Sequence, residues 1–327
     1  MIRFGFWTDT HARFETPEER TDNFFQSLLL KLEEVGQIFK DEKVDYTLFG
    51  GDLYDSDTVA KSVITGIQTV LRAWQLPIIG VVGSHDYIGY QMKSLKSTAL
   101  GITESAGIID IIGGYGHPHA IMLNNHDTKV NIVGKPHTYT FTDSKDNMYV
   151  EKDLSSTYQI QIVHADLNVK PAPWRHILVQ DGLTDSDLVL SGHYHPGWEY
   201  PVTMRGRDDA HNVSFINPGS IARMKNTGTR RIPRVCIITV DGNQCTYNFI
   251  ELKSAIAHPF AEKKVKVVDE DPMMDIQRFL DLIGGAEINA IDIKTQLPIV
   301  AKEYGFSEEV VADAFTYIDE QSAQEKK

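Results

Sequence analysis

Five times along this chain, a run of apolar, strand-forming residues ends directly in a histidine- or aspartate-bearing cluster. Ile2 to Trp7 leads into Asp9-Thr10-His11. Tyr46 to Phe49 leads into Gly51-Asp52-Leu53-Tyr54-Asp55, and Ile78 to Val82 into Gly83-Ser84-His85-Asp86. Gln159 to Val163 ends at His164, and Leu188 to Ser191 at Gly192-His193-Tyr194-His195. Side chains just past the C-terminal ends of neighbouring strands gather on one edge, where open α/β folds collect their ligands. The pattern therefore demands a sheet-based fold that brings five strand ends together.

The residue types point to a particular chemistry. A phosphodiester is anionic and resists attack, so hydrolysis at neutral pH needs charge neutralisation and a strong nucleophile. Two divalent metals roughly 3.5–4 Å apart supply both. Holding them takes a carboxylate able to bridge, with neutral imidazoles and hard oxygens around each ion. Two aspartates and four histidines stand at suitable positions, with Asp52 the natural bridge.

The chain has 327 residues, enough for one large α/β domain and a smaller appendage. No apolar run approaches the ~20 residues of a membrane span, and the first residues enter a strand without a basic and apolar leader. There are two cysteines, Cys236 and Cys245. The hairpin turn expected at Asp241-Gly242-Asn243 leaves them out of register with each other. Free thiols predict a reducing, cytoplasmic compartment. A net charge of −13 opposes indiscriminate binding of nucleic acid over the whole surface. It does not exclude a nucleic-acid substrate, because two bound dications would reverse the sign locally.

The first half alternates strand and helix. Phe24, Leu28, Leu32, Val35 and Phe39 recur at helical spacing, as do Val63, Ile67, Val70, Leu71 and Trp74, with Pro77 as a stop. Such βαβα order predicts a largely parallel sheet. The second half is strand-rich, with strands expected near Lys129–Val133, Gln159–His164, Asp187–Ser191, Val213–Ile216, Pro233–Val240 and Gln244–Leu252. Together they predict an α/β fold of two stacked mixed sheets with helices outside, a four-layer α/β/β/α sandwich. The polar segment Thr138–Thr157 reads as an excursion between core strands. A small α+β or helical appendage follows, with a strand over 263–268, a helix over Met273–Ile283 and another from the Ser307 cap to Gln321.

With its five signatures in order, the chain resembles the calcineurin-like metallophosphoesterases, and Asn217-Pro218-Gly219-Ser220 is similar to the segment that follows their last ligand strand. Within that superfamily it most resembles the SbcD-type nuclease subunit of DNA end-processing complexes. The resemblance implies a nuclease domain over 1–252 and a capping or partner-docking region over 253–327. It implies Asp9, His11, Asp52 and His195 around one metal, and Asp52, Ser84, His164 and His193 around the other. Manganese is the implied metal, with a metal-bridging hydroxide attacking phosphorus in line. His85 would serve the leaving group, with Asp86 orienting it. DNA, an SbcC-type coiled-coil ATPase and a second copy of the chain are the implied partners, in DNA repair, recombination or replication, with no membrane.

One departure matters. The family places Asn where this chain has Ser84, and a hydroxyl is a shorter, weaker ligand than an amide oxygen. The second metal is therefore expected to bind more weakly.

Plainer roles compete at other positions. Asp55 can cap the next helix or serve the site; Tyr54 reads as packing. His117-Pro118-His119 falls outside the motif order, and His126, His137, His176, His211 and His258 receive no role. Arg223, Lys225, Arg230, Arg231 and Arg234 form the densest basic run. It reads either as a solvated loop or as a grip on a DNA backbone beside the metals, with Arg223, Lys225, Arg230 and Arg231 as its contacts. Two rival functions remain at this stage: a small-molecule phosphoesterase, either a cyclic-nucleotide diesterase or a phosphatase, and a non-catalytic scaffold. The first would tolerate charge reversal of the basic run; the second would need a degraded metal site.

Overall fold

The computed structural model describes residues 1–89, 91–205, 211–225, 231–255 and 259–260. The chain divides into two compact units, Met1–Pro171 with Arg175–Ala261, and Ala172–Trp174 with Glu262–Lys327. Nearly all of the second unit lies outside the described residues. So do the strand and both helices expected there, together with Arg230 and His258.

In the first unit, β1 (Ile2–Trp7), α1 (Phe24–Asp41), β2 (Tyr46–Phe49), α2 (Lys61–Trp74), β3 (Ile78–Gly80), α3 (Ala99–Ser105) and β4 (Asp110–Ile111) follow one another. Strands β1 to β4 pair in parallel, in chain order. Then come β5 (Ala120–Asn125), β6 (Thr128–Lys135), β7 (Tyr158–Ala165), the short pair β8 (Leu167–Asn168) and β9 (Ile177–Leu178), β10 (Leu188–His193), β11 (Val202–Arg205) and β12 (Asn212–Ile216). β6, β7, β10 and β12 form the parallel centre of a second sheet, with β5 and β11 as antiparallel edges. Finally β13 (Arg234–Asp241) returns antiparallel to β1, and β14 (Gln244–Glu251) pairs on its outer side. This gives two mixed six-stranded sheets, ordered β14-β13-β1-β2-β3-β4 and β11-β12-β10-β7-β6-β5.

The two-residue alternation of a strand explains the stacking. Phe4, Phe6, Leu48 and Ile238 from the first sheet meet Ile160, Ile162, Leu188 and Leu190 from the second, all fully buried. Each such side chain contributes about 1.5–3 kcal/mol on leaving water, so this seam holds the two sheets together. The other face of the first sheet carries Trp7, Phe49 and Ile78 against the apolar stripes of α1 and α2. α1 is capped by Asn23, whose side chain accepts from the Gln26 amide at 3.0 Å. α2 ends at Gln75 with φ 56°, a left-handed terminus just before Pro77.

The outer face of the second sheet is covered differently. Val163, Val189, Val213 and Phe215 lie under Phe141, Met148 and Val179, which belong to 3-10 turns at Phe141–Asp143, Lys145–Met148 and Val179–Asp181. Among the described residues, this fourth layer is made of turns. The polar excursion Thr138–Thr157 thus supplies two apolar anchors to the core. Cys236 pairs with Phe249 and Cys245 with Val240, so the two thiols are free and out of register. No described helix is long and apolar enough to cross a membrane.

Candidate metal centre

Parallel pairing puts the C-terminal ends of β1, β2 and β3 on one edge, and those of β7 and β10 on the edge of the stacked sheet. The register Gly192↔His164 sets His193 beside His164. The backbone there is unusual. Asp9, His11, Asp52 and His193 have φ of 54°, 43°, 57° and 76°, a left-handed region that non-glycine residues adopt at a cost and that clusters at functional sites. Hydrogen bonds fix these turns: the Thr10 and His11 amides both donate to Asp52 O, at 3.0 and 3.1 Å. Glycine is required alongside, because a Cβ at Gly83 would overlap the Asp52 carboxylate and one at Gly192 would overlap Gly50 O.

Three groups of possible ligands result among the described residues; one is His11, Asp55 and His85, and the other two share Asp52. Ligand atoms of Asp9, His11, Asp52 and His195 lie mutually within 4.8 Å, as do those of Asp52, His164 and His193. Asp52 belongs to both. Its Oδ2 is 3.6 Å from His11 Nε2 and 3.2 Å from His164 Nε2, between the two sets. Ser84 Oγ donates to that same Oδ2 at 3.2 Å, which sets its hydroxyl against the shared carboxylate.

The surrounding contacts aim the imidazoles inward. His164 Nδ1 contacts Gly50 O at 2.7 Å, leaving Nε2 to the site. His11 Nδ1 is 3.4 Å from Asp55 Oδ1, and His193 Nε2 is 3.1 Å from Asp166 Oδ2. Such outer partners fix the tautomer and the basicity of metal-binding histidines. Asp55 therefore serves the site through His11. The cap position of α2 falls to Ala60. Tyr54 is packing, fully buried with its hydroxyl on Thr103 Oγ1.

The electrostatics suit a cation. Burial would raise the Asp9 and Asp52 carboxyls, but the neighbouring histidines outweigh it and both are held down, Asp52 well down. Burial would lower His11 and His164; the hydrogen bond to Asp55 holds His11 up at about 10, and the Asp52 charge holds His164 up at about 9. His195 goes the other way, pushed down by burial to about 4. His11 Nε2 and His195 Nε2 stand 2.8 Å apart, within hydrogen-bond distance of each other. Buried carboxylates faced by converging imidazole nitrogens, in strained turns, are a donor set that fits divalent cations.

The Asp86 expectation needs correcting. Its carboxylate does not face His85. It accepts from the Asp52 and Gly83 amides at 2.9 and 2.8 Å and from the Leu53 amide at 3.2 Å. Burial, then the Asp52 charge, pushes it up to about 6. Asp86 thus ties the β2 and β3 loops together. His85 is held instead by its own ring, with Nδ1 2.7 Å from Asp55 O, and stands edge-on to His11 at 4.8 Å.

A cleft of about 350 Å³ opens on the first ligand set. His11, His85 and His195 share its wall with Arg223, Lys225, Arg231 and Phe260. Three members of the basic run thus reach the site. Arg231 is half-buried, its guanidinium donating to Pro218 O and Ser220 O, and Arg223 lies over Phe260 at 5.2 Å. Lys225 is exposed. Arg234 braces β13, stacked on Phe249 at 3.8 Å. His117 pairs with Glu104 at 2.7 Å, away from the ligand sets.

Two further residues, Asp166 and His137, stand against His193. Asp166 sits two positions past His164, at the end of the same strand. His137 follows β6, its ring stacked on His193 at 5.5 Å and its Nδ1 2.8 Å from Tyr87 Oη. The strand-end rule that found the other clusters applies to both, once β6 is known to run parallel to β7.

Residues 2–197 match the family model described as calcineurin-like phosphoesterase. The chain belongs to that family, and its site is a metal-binding Asp/His cluster of a phosphoesterase. Among curated proteins it is similar to the double-strand break repair protein MRE11 of Encephalitozoon cuniculi, 23% identical over 81% of this chain and 52% of that protein. The MRE11 of Coprinopsis cinerea is 20% identical over 88% of this chain and 47% of its own length. The chain thus spans about half the length of these relatives. A 5'-nucleotidase precursor from Thermus thermophilus has a TM-score of 0.46 at 10% identity, covering 78% of this chain and 55% of its own. A likeness that remote carries no argument about substrate.

Proposed function

We propose that this chain is a manganese-dependent phosphodiesterase acting on DNA, working with an SbcC-type coiled-coil ATPase in DNA end processing. The observation that carries this reading is the cleft, in which three histidines of the metal edge share one wall with three cations. A polyanion needs both: a place for the scissile phosphate and cations for the flanking ones. The similarity to two double-strand break repair proteins supports the same substrate class.

Asp9, His11, Asp52 and His195 would hold one metal; Asp52, Ser84, His164 and His193 the other. When bound, two such cations neutralise the phosphate and acidify water. The chain's own groups do the rest. Asp55 and Asp166 orient His11 and His193, and Gly50 O orients His164. His85, anchored through Nδ1 and lining the cleft, is the candidate proton donor to the departing oxygen. Lys225 contacts backbone phosphate, while Arg223 and Arg231 add positive potential from behind.

The test is cleavage of an end-labelled linear duplex by the purified chain in Mn²⁺, beside Asp52→Asn. Cleavage lost in the variant is the expected result. Asp52-dependent hydrolysis of a small aryl phosphodiester without duplex cleavage, with or without the ATPase, would overturn the DNA assignment and leave the phosphoesterase.

A further inference from the structure

Lys31 lies on the apolar face of α1, beside Leu28 and Leu32, and is only 2% exposed. Nζ donates to Ile221 O at 3.2 Å. Burial, with Arg20 and Arg223 close by, brings its ammonium down to about 7, a shift that costs the fold stability wherever the unfolded lysine is charged. A methionine or leucine would fill the space without that cost.

What the lysine touches suggests why it is there. The segment Pro218–Arg223 follows β12 and runs behind the first ligand set. Its carbonyls meet cations: Arg231 donates to Ser220 O at 2.6 Å and Arg20 to Arg223 O at 2.7 Å, on either side of Lys31. Its amides point the other way, into the ligand loops. Ser220 N donates to His195 O at 3.0 Å, Ile221 N to Thr8 O at 3.1 Å and Ala222 N to Asp9 O at 3.2 Å.

The contacts continue as an unbroken line of peptide groups. Ile221 O and Ala222 N belong to one peptide, and Ala222 N donates to Asp9 O. Asp9 O and Thr10 N belong to the next, and Thr10 N donates to Asp52 O at 3.0 Å. Asp52 O and Leu53 N belong to the third, and Leu53 N donates to Asp86 Oδ1 at 3.2 Å. The line thus runs from the buried Lys31 Nζ to the buried Asp86 carboxyl. Every peptide dipole in it lies oxygen toward Lys31 and N–H toward Asp86, the alignment in which hydrogen bonds strengthen one another.

We propose that Lys31 is a positioning residue for the metal centre. Through three aligned peptide groups that end on the Asp86 carboxyl, it clamps the left-handed Asp9 and Asp52 turns that carry the ligands. The inference rests on the metal-centre reading above, and it adds a residue that touches neither metal nor substrate. Lys31 pulls first on the Asp9 turn, so the first ligand set depends on it most.

The experiment is calorimetric titration of the full chain with Mn²⁺, for wild type, Lys31→Met and Lys31→Gln, with thermal midpoints recorded in chelator. Outer partners of metal ligands are worth about 10–100-fold in affinity. Lys31→Met is expected to weaken the tighter site about tenfold by that measure, with its metal-free midpoint unchanged or raised. Lys31→Gln keeps a donor but no charge and should fall between. Wild-type affinity in Lys31→Met, or loss of affinity only in step with a lowered midpoint, overturns the proposal. Should Lys31→Met not fold, wild-type affinity in Lys31→Gln overturns it equally. A wild-type chain that takes up no Mn²⁺ would instead sink the metal-centre reading beneath it.

Discussion

The two ligand sets share Asp52 and differ in nearly everything else. The first holds a second carboxylate, Asp9, wholly buried and doubly bonded by the His193 amide, with both oxygens at 3.1 Å. It opens on the cationic cleft. The second has no carboxylate of its own, and Ser84 stands where the family supplies an amide. More negative charge and a more rigid frame should make the first set the tighter one.

Removing the shared group tests the comparison hardest. Asp52→Asn should abolish binding at both sets and lower phosphodiester hydrolysis by about 10³-fold, as loss of a central electrostatic group does; metal content and rate are the measurements. Asp9→Asn should empty only the first set. Equal loss of both metals in the two variants would break the distinction.

The orienting carboxylates should act one set at a time. Asp166→Asn is expected to weaken the second metal, and Asp55→Asn the first, by about 10–100-fold each. Crossed effects in the titration would show that the sets are not independent. Ser84→Asn should then strengthen the weaker site about tenfold, on the scale of a ligand-shell change. Two equally tight Mn²⁺ sites in the wild type would dispose of the Ser84 argument.

The smallest effect is on pH dependence. In chelator, His11 and His164 are held above their ordinary range, to about 10 and about 9. Their contribution to stability is complete below the unfolded histidine value of about 6.5 and is lost as pH rises through 9 to 10. The metal-free thermal midpoint should therefore fall over that interval. Mn²⁺ must displace these protons, so binding at about pH 7.5 should release protons, seen as a buffer-dependent enthalpy. A flat midpoint and no release would mean that both imidazoles are already neutral.

The Asp/His cluster was legible because each member depends on local information: an apolar strand, then a polar side chain at its C-terminal end. Helices α1 and α2 were legible for a similar reason, since their stripes repeat every three to four residues. The outer ring was not. Asp86 follows His85 in the chain, yet its oxygens serve amides on the β2 loop 33 and 34 residues away. Lys31 interrupts a hydrophobic face for a carbonyl 190 residues downstream. No periodicity reports such partners. Phe141 and Met148 were hidden in a polar segment because a turn places single side chains and leaves no repeat. The likeness of Asp55 to a helix cap was misleading because the helix begins later, after Ala60.

The position of β13 has a consequence for how the protein is made. β1, which ends at the Asp9 turn, is flanked in the sheet by β2 and β13, so one of its edges is covered only by residues 234–241. Translation proceeds at about 5–20 residues per second, which leaves that edge open for tens of seconds on the ribosome. An uncovered strand edge is a template for wrong pairing. Asp9, His11, Asp52 and Ser84 are therefore synthesised long before the sheet whose loops carry them can close.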